Sequence, residues 1–196
     1  MRLLVATTNR DKIREIRSLL AGAPVDLLTL SDLPPVAEPE ETGETFQDNA
    51  RLKARYYATH SGLLTVAEDS GLVIDALDGE PGVRSARFLR PDATYPERFA
   101  AIFERLAQSP DRPRTARFVC ALAVVDGDFI AFETTGTVEG TIAHAAAGDR
   151  GFGYDPIFYF PPYKATLAEV DEEHKLAIAH RGQAFRALAE WIRSKQ

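Results

Sequence analysis

Two runs rich in strand-forming residues, TARFVCALAVV and FIAFETTGTVEG, lie on either side of Asp126-Gly127-Asp128. Turn residues between two such runs predict a long hairpin, and therefore an antiparallel pair, in the middle of the chain. The N-terminal third follows another rule. LLVAT reads as a buried strand, and NRDKIREIRSLL after it spaces Ile13, Ile16, Leu19 and Leu20 along one helical face. VDLLTL is a second strand. Residues 45–60 read as a helix opened by Thr45 and Asp48, placed like a capping box with Asp in the usual Glu position. Asn49 and Lys53 share a face of that helix. Further on, PERFAAIFERLAQ predicts a helix with Phe99, Ile102, Phe103 and Leu106 inward, and Phe185, Leu188, Ala189 and Ile192 form a stripe on a helical tail. Strands that alternate with helices, joined to one long hairpin, predict the α/β class with a mixed sheet.

A chain of 196 residues makes one domain or two closely associated lobes, and buries a sizeable core without disulfides or structural metals. Its net charge of -6 argues against a protein that wraps a nucleic-acid polymer, since that binding neutralises many phosphates with Lys and Arg. Any phosphate is therefore expected on a small ligand. The lone Cys120, in FVCALAVV, is expected as a buried core thiol. No stretch approaches the roughly 20 apolar residues of a membrane span, so the protein is expected to be cytoplasmic.

Several short segments could carry chemistry. In TTNRDK (Thr7, Thr8, Asn9, Arg10, Asp11, Lys12), small polar residues stand between a strand's end and a helix's start, where free N–H groups favour an anion; the same residues could equally be an ordinary helix cap. TVAEDSGLVI sets Glu68 beside Asp69 between apolar runs that read as strands on either side. With Glu40 and Glu41 of the acidic loop SDLPPVAEPEETGE, these carboxylates suit a hard cation such as Mg²⁺. If the strand ran on through the acids, alternation would turn one of them into the core, at a cost of several kcal/mol unless it is paired or metal-bound. Ser70-Gly71 could instead make Asp69 a turn residue. GFGYDPIF offers glycines for close approach, flat faces on Phe152 and Tyr154, and Asp155 as an acceptor. Lys175 and His180-Arg181 cluster donors near the start of the last helix. There is no GxSxG elbow and no HExxH zinc motif.

TTNRDK, EETGETFQDNARLKA, AEDSGL, PGVRSARF, TGTVEGTI, GFGYDPIF and AEVDEEHKLAIAHR occur in this order from Thr7 to Arg181, nearly the whole chain. Together they resemble the inosine triphosphate pyrophosphatases, the non-canonical purine nucleoside triphosphatases. That resemblance implies an elongated mixed β-sheet flanked by helices, in a single domain over residues 1–196 with two lobes and a central cleft. The implied reaction is Mg²⁺-dependent hydrolysis of the purine nucleoside triphosphates ITP, dITP and XTP to monophosphate and pyrophosphate, which cleanses the nucleotide pool. The enzyme would be a homodimer with no nucleic-acid or membrane partner. Asp69 would be the general base and a metal ligand, with Glu40 or Glu41 as the second carboxylate. Lys12 and Lys53 would clamp the triphosphate, joined by Thr7, Thr8, Asn9 and Ser70, with Arg10 and Asp11 also among the substrate-binding residues. His180, Arg181 and the backbone of Phe152, Gly153, Tyr154 and Asp155 would receive the base, with Phe152 stacking on it, and Lys175 would reach the nucleotide at either the phosphates or the base.

Two departures stand out. Glu68 replaces the first of the family's usual two aspartates, which weakens its claim on the metal, and Ala179 replaces the Ser usual before His-Arg. The competing expectations are a Maf-type nucleotide pyrophosphatase with another base preference, and a nucleotide sensor that does not hydrolyse.

Overall fold

The computed structural model describes residues 1–195 and shows an α/β protein built on a seven-stranded sheet. In chain order its main elements are β1 (Arg2–Val5), α1 (Arg10–Leu19), β2 (Asp26–Thr29), α2 (Phe46–Ser61), β3 (Thr65–Ile74), α3 (Tyr95–Ala107), β4 (Thr115–Asp126), β5 (Phe129–Ile142), β6 (Phe158–Phe160), β7 (Ala165–Thr166), α4 (Glu172–Ile178) and α5 (His180–Arg193). The strand order is β2-β1-β3-β4-β5-β6-β7. β1 pairs in parallel with β2 and β3, as strands joined through helices do. β6 pairs antiparallel with both β5 and β7. β4 and β5 are neighbours joined only by Gly127 and Asp128, with Gly127 at φ 56°, a link short enough for nothing but a hairpin. The sheet is mixed, as predicted.

One expectation is corrected here. The acids Glu68 and Asp69 do not stand between two strands, because β3 runs unbroken from Thr65 to Ile74. β1 pairs with β3 only at Thr65 and Val66, so past the acids the strand rests on its other neighbour, β4, and on the burial of Leu72 and Ile74, which outweigh the turn preference of Ser70-Gly71.

The chain divides into two compact units. The first holds Met1–Asp69, Cys120–Gly136 and the segment from His180 onward; the second holds Ser70–Val119 and Thr137–Ala179. In the first unit the period of two along each strand sorts the core into two faces. Leu3 and Val5 of β1, Val66 of β3 and Cys120, Leu122 and Val124 of β4 pack with Ile16 of α1 and Phe185, Leu188 and Ile192 of α5. The residues between them in sequence, Leu4, Ala67, Ala121, Ala123 and Val125, pack with Ala50, Ala54 and Tyr57 of α2. The α5 stripe is therefore buried as its spacing predicts. Burying a Phe or Leu side chain of this kind contributes roughly 1.5–3 kcal/mol.

The cap of α2 is only half of the predicted box. Thr45 Oγ1 accepts the Asp48 N–H at 3.1 Å, but the Asp48 carboxylate takes the Thr45 hydroxyl at 2.7 Å.

The core of the second unit joins Leu72 and Ile74 of β3, Phe99, Ile102 and Leu106 of α3, Phe118 of β4, Ile142 of β5 and Tyr154, Ile157 and Phe158, with Phe103 partly buried against it. No helix among the described residues is long and apolar enough to cross a membrane.

Candidate active site

Because β3 continues through its acids, alternation sends Glu68 and Asp69 to opposite faces of the sheet. Glu68 follows Val66 towards α1 and α5. Asp69 follows Ala67 towards α2. Both carboxylates are buried; Glu68 meets cations from α1 and α5, and Asp69 meets one from α2.

Around Glu68 a closed ionic cluster forms. Arg181 Nε donates to Glu68 Oε1 at 2.9 Å, and Arg181 Nη1 donates to Glu15 Oε2 at 2.6 Å. Lys12 Nζ lies 3.2 Å from the same Glu68 oxygen, and Cys120 Sγ donates to Glu68 Oε2 at 3.1 Å. Burial alone would raise the Glu68 carboxyl, but the charges of Arg181 and Lys12 outweigh it and hold the group well below the usual carboxylate range. Burial, with the Glu68 charge added, pushes the Cys120 thiol well up, so it is the inert core thiol expected, though with a polar neighbour the sequence did not suggest. This geometry gives Glu68 cationic and thiol partners from within the chain. It also occupies two of the Arg181 donors expected to face a base.

Asp69 has a looser environment. Its Oδ2 accepts Asn49 Nδ2 at 3.1 Å, and Lys53 Nζ stands 3.4 Å from its Oδ1. The same ammonium lies closer, at 2.6 Å, to Glu41 Oε1. Asn49 and Lys53 thus reach one carboxylate from one helical face, as their spacing predicts. Burial raises the Asp69 carboxyl above its ordinary value; Lys53 opposes this and Glu41 reinforces it. Lys53 loses some of its charge preference to burial but gains more from Asp69 and Glu41, so its ammonium is held above the usual range. An aspartate raised in this way and held in place is suited to accept a proton.

The acidic set expected for a metal is only partly assembled. Glu41 and Asp69 share one cation, whereas Glu40 is exposed and Glu68 faces the other side of the sheet. Among the described residues no group of three His, Cys, Asp or Glu side chains converges on a metal position. Two hard oxygen donors remain, enough for an ion that takes its other ligands from phosphate and water.

At the start of α1, Asn9 is the N-cap. Its Oδ1 accepts the N–H groups of Asp11 at 2.9 Å and Lys12 at 3.1 Å, and its own N–H donates to Thr7 Oγ1 at 3.2 Å. Two of the helix donors expected for an anion are therefore satisfied within the chain. Thr8, Asn9 and Arg10 are exposed, and Ser70, on β3 beside Asp69, is partly exposed. His180, the first residue of α5, is buried. Gly136 allows β5 to approach there, because a Cβ at that position would lie 2.1 Å from the His180 carbonyl oxygen.

In the second unit, Asp155 organises the GFGYD loop. Its Oδ2 accepts Lys175 Nζ at 2.7 Å and the Phe152 N–H at 2.9 Å. The Lys175 ammonium also lies 4.9 Å from the centre of the Phe152 ring. Gly151, at φ 69°, must be glycine, since a Cβ would fall 2.2 Å from that same carboxylate oxygen. Tyr154 departs from expectation. Its ring is buried in the core and its hydroxyl donates to the Ser85 carbonyl at 2.8 Å, so it offers no open face for stacking. Phe152, partly exposed, keeps that possibility.

Sequence reading missed Glu15, Ser85 and Arg98. Glu15 was detectable, for Lys12 and Glu15 stand three apart on α1 and share a face. Ser85 meets Tyr154 across 69 residues of sequence, which leaves no local pattern, whereas Arg98 and Tyr95 stand three apart on α3.

The chain matches the sequence profile of the Ham1 family over residues 3–191. A dITP/XTP pyrophosphatase from an Exiguobacterium species is 43% identical over 188 residues, spanning 96% of this chain and 95% of that protein. Among solved structures, a HAM1 protein from Coxiella burnetii superposes with a TM-score of 0.91 at 38% identity, covering 99% of both chains. A nucleoside-triphosphatase, a dITP/XTP pyrophosphatase from Mycobacterium abscessus, gives 0.77 at 42% identity, covering 96% of this chain and 98% of that one.

Proposed function

Since the chain belongs to the Ham1 family, we propose that it hydrolyses dITP, XTP and ITP to the nucleoside monophosphate and pyrophosphate. The observation that carries this reading is the Asp69 carboxylate, buried, raised in pKa and held by Asn49 and Lys53 at the end of the first unit's part of β3. In the reaction, water attacks the α-phosphorus and gives its proton to Asp69. The α–β anhydride bond breaks, and pyrophosphate leaves with the bonding pair. Lys53 and Lys12 bring positive charge to the phosphates, and each would exchange a carboxylate partner, Glu41 or Glu68, for phosphate oxygens. Glu41 and Asp69 would hold Mg²⁺, whose charge, when it is bound, neutralises the phosphates.

Base selection falls to the GFGYD loop, with Phe152 as the stacking face and Lys175 beside it as a donor. A 6-keto purine presents an acceptor to such donors, whereas adenine presents an amino group and sets donor against donor. The same reading makes the protein a cytoplasmic homodimer acting on free nucleotides.

The test is pyrophosphate release with Mg²⁺ from ITP, dITP, XTP, ATP and UTP. Rapid turnover of the first three, and its abolition in Asp69→Asn while ITP binding persists, is the expected result. Equal turnover of ATP, or near-normal activity in Asp69→Asn, would sink the reading.

A further inference from the structure

PGVRSARF plays no part in the chemistry above, yet the structure ties it to the GFGYD loop. Ser85 is buried; its hydroxyl donates to the Gly82 carbonyl at 2.7 Å and accepts the Leu72 N–H of β3 at 2.9 Å. Its backbone carbonyl accepts the Tyr154 hydroxyl at 2.8 Å. One residue thus bonds to its own segment, to β3 and to the loop.

The second support comes from α3. Arg98 is buried at 4% exposure, its guanidinium lies 5.0 Å from the centre of the Tyr95 ring, and an Nη group donates to the Pro91 carbonyl at 3.4 Å. Its Nε hydrogen meets no acceptor among the described residues. These neighbours are a ring and a carbonyl rather than a carboxylate, a costly setting for a buried cation. The Tyr95 ring stands edge-on to Tyr154, with centroids 5.3 Å apart at 90°; burial pushes the Tyr154 hydroxyl up from its ordinary pKa, and the Arg98 guanidinium opposes that rise. A guanidinium only donates, so a positive charge on this side suits a Tyr154 hydroxyl whose proton goes to the Ser85 carbonyl.

We infer that Ser85 and Arg98 are positioning residues for base selection, which pin Tyr154 and with it the backbone of loop 152–155. The loop then has two anchors, Tyr154 on Ser85 and Asp155 on Lys175, one on each side of the bond that joins these neighbours. Holding both fixes the direction of the Phe152 ring and of the loop N–H groups before a base arrives, which is how a site rejects a base of the wrong polarity. The inference rests on the reading that this loop receives the base, and its test separates the two.

Kinetics with ITP and ATP are measured for Tyr154→Phe, Arg98→Gln, Arg98→Lys and the control Phe152→Ala, each checked for folding by circular dichroism. Tyr154→Phe keeps the ring and removes one hydrogen bond, so the ITP-to-ATP ratio of kcat/KM is expected to fall about five-fold. Arg98→Gln should narrow the ratio similarly through KM, with kcat at saturating ITP little changed, and Arg98→Lys should restore part of it. An unchanged ratio in Tyr154→Phe and Arg98→Gln, beside a narrowed one in Phe152→Ala, would overturn the positioning role and leave the loop reading standing. An unchanged ratio in all of them would remove both. A lowered thermal midpoint with an intact ratio would reduce Arg98 to a purely structural part and refute the inference.

Discussion

Removing the Arg181 guanidinium would take one charged donor from each of Glu15 and Glu68, both buried, and leave Glu68 to Lys12 and Cys120. Breaking a buried pair by deleting one partner strands the charge of the other. Arg181→Ala is therefore expected to lower stability by about 3–5 kcal/mol, read from urea unfolding. Adding Glu15→Gln and Glu68→Gln should recover much of that loss; a single variant as stable as the parent would show the cluster to be energetically idle. The same arithmetic warns against reading a loss of activity in Arg181→Ala as a lost base contact. At Gly151 the constraint is steric. Gly151→Ala would drive a methyl group into the Asp155 carboxylate and disturb its pair with Lys175. A fall of about 10-fold or more in kcat/KM for ITP is expected, since small misplacements of a binding group are costly, and an unchanged value would remove the pair from substrate selection.

Among the elements, α3 carries Arg98 and Phe99 on its buried side, and its N-terminus is fastened by a full capping box. The Glu97 carboxylate accepts the Thr94 N–H at 2.7 Å and the Thr94 hydroxyl at 2.8 Å, and pairs with Arg90. The backbone bond from Thr94, then the bonds from Arg90 and the Thr94 hydroxyl, pull its carboxyl from 4.5 down to about 2. A folded-state value below the unfolded one means that the contribution to stability is complete above about 4.5 and is lost as pH falls towards about 2. The difference in thermal midpoint between the parent and Glu97→Gln should accordingly be present at neutral pH and close in acid. A difference independent of pH would mean that the cap does not act through its charge. α2 shows the weaker case, capped by Thr45 Oγ1 on the Asp48 N–H while the Asp48 carboxylate takes the Thr45 hydroxyl.

Across the whole molecule, the chain passes between its two units at residues 69/70, 119/120, 136/137 and 179/180, and β3, β4 and β5 each contain residues of both. Neither unit is a continuous segment, so the parent should unfold in one transition. Trp191 fluorescence, which reports the first unit, should coincide with far-ultraviolet circular dichroism; separated midpoints would show independent units. Much of this architecture was legible in the sequence, because helix stripes, the β4–β5 turn and the Asn49–Lys53 spacing are local patterns that recur with a fixed period. The partners of Glu68 were not: Arg181 lies 113 residues from it in sequence, and Glu15 lies 166 residues from Arg181. By itself the sequence determined the α/β class, the mixed sheet and the ordered motifs that mark the family, all of them properties of short segments. Only the tertiary structure decided the parts played by Glu68 and Asp69. Whether β3 continues past its acids depends on strands drawn from distant parts of the chain. Once it continues, the pleat turns adjacent carboxylates to opposite faces, one towards the ionic cluster of Arg181, Glu15 and Lys12 and the other towards Asn49 and Lys53.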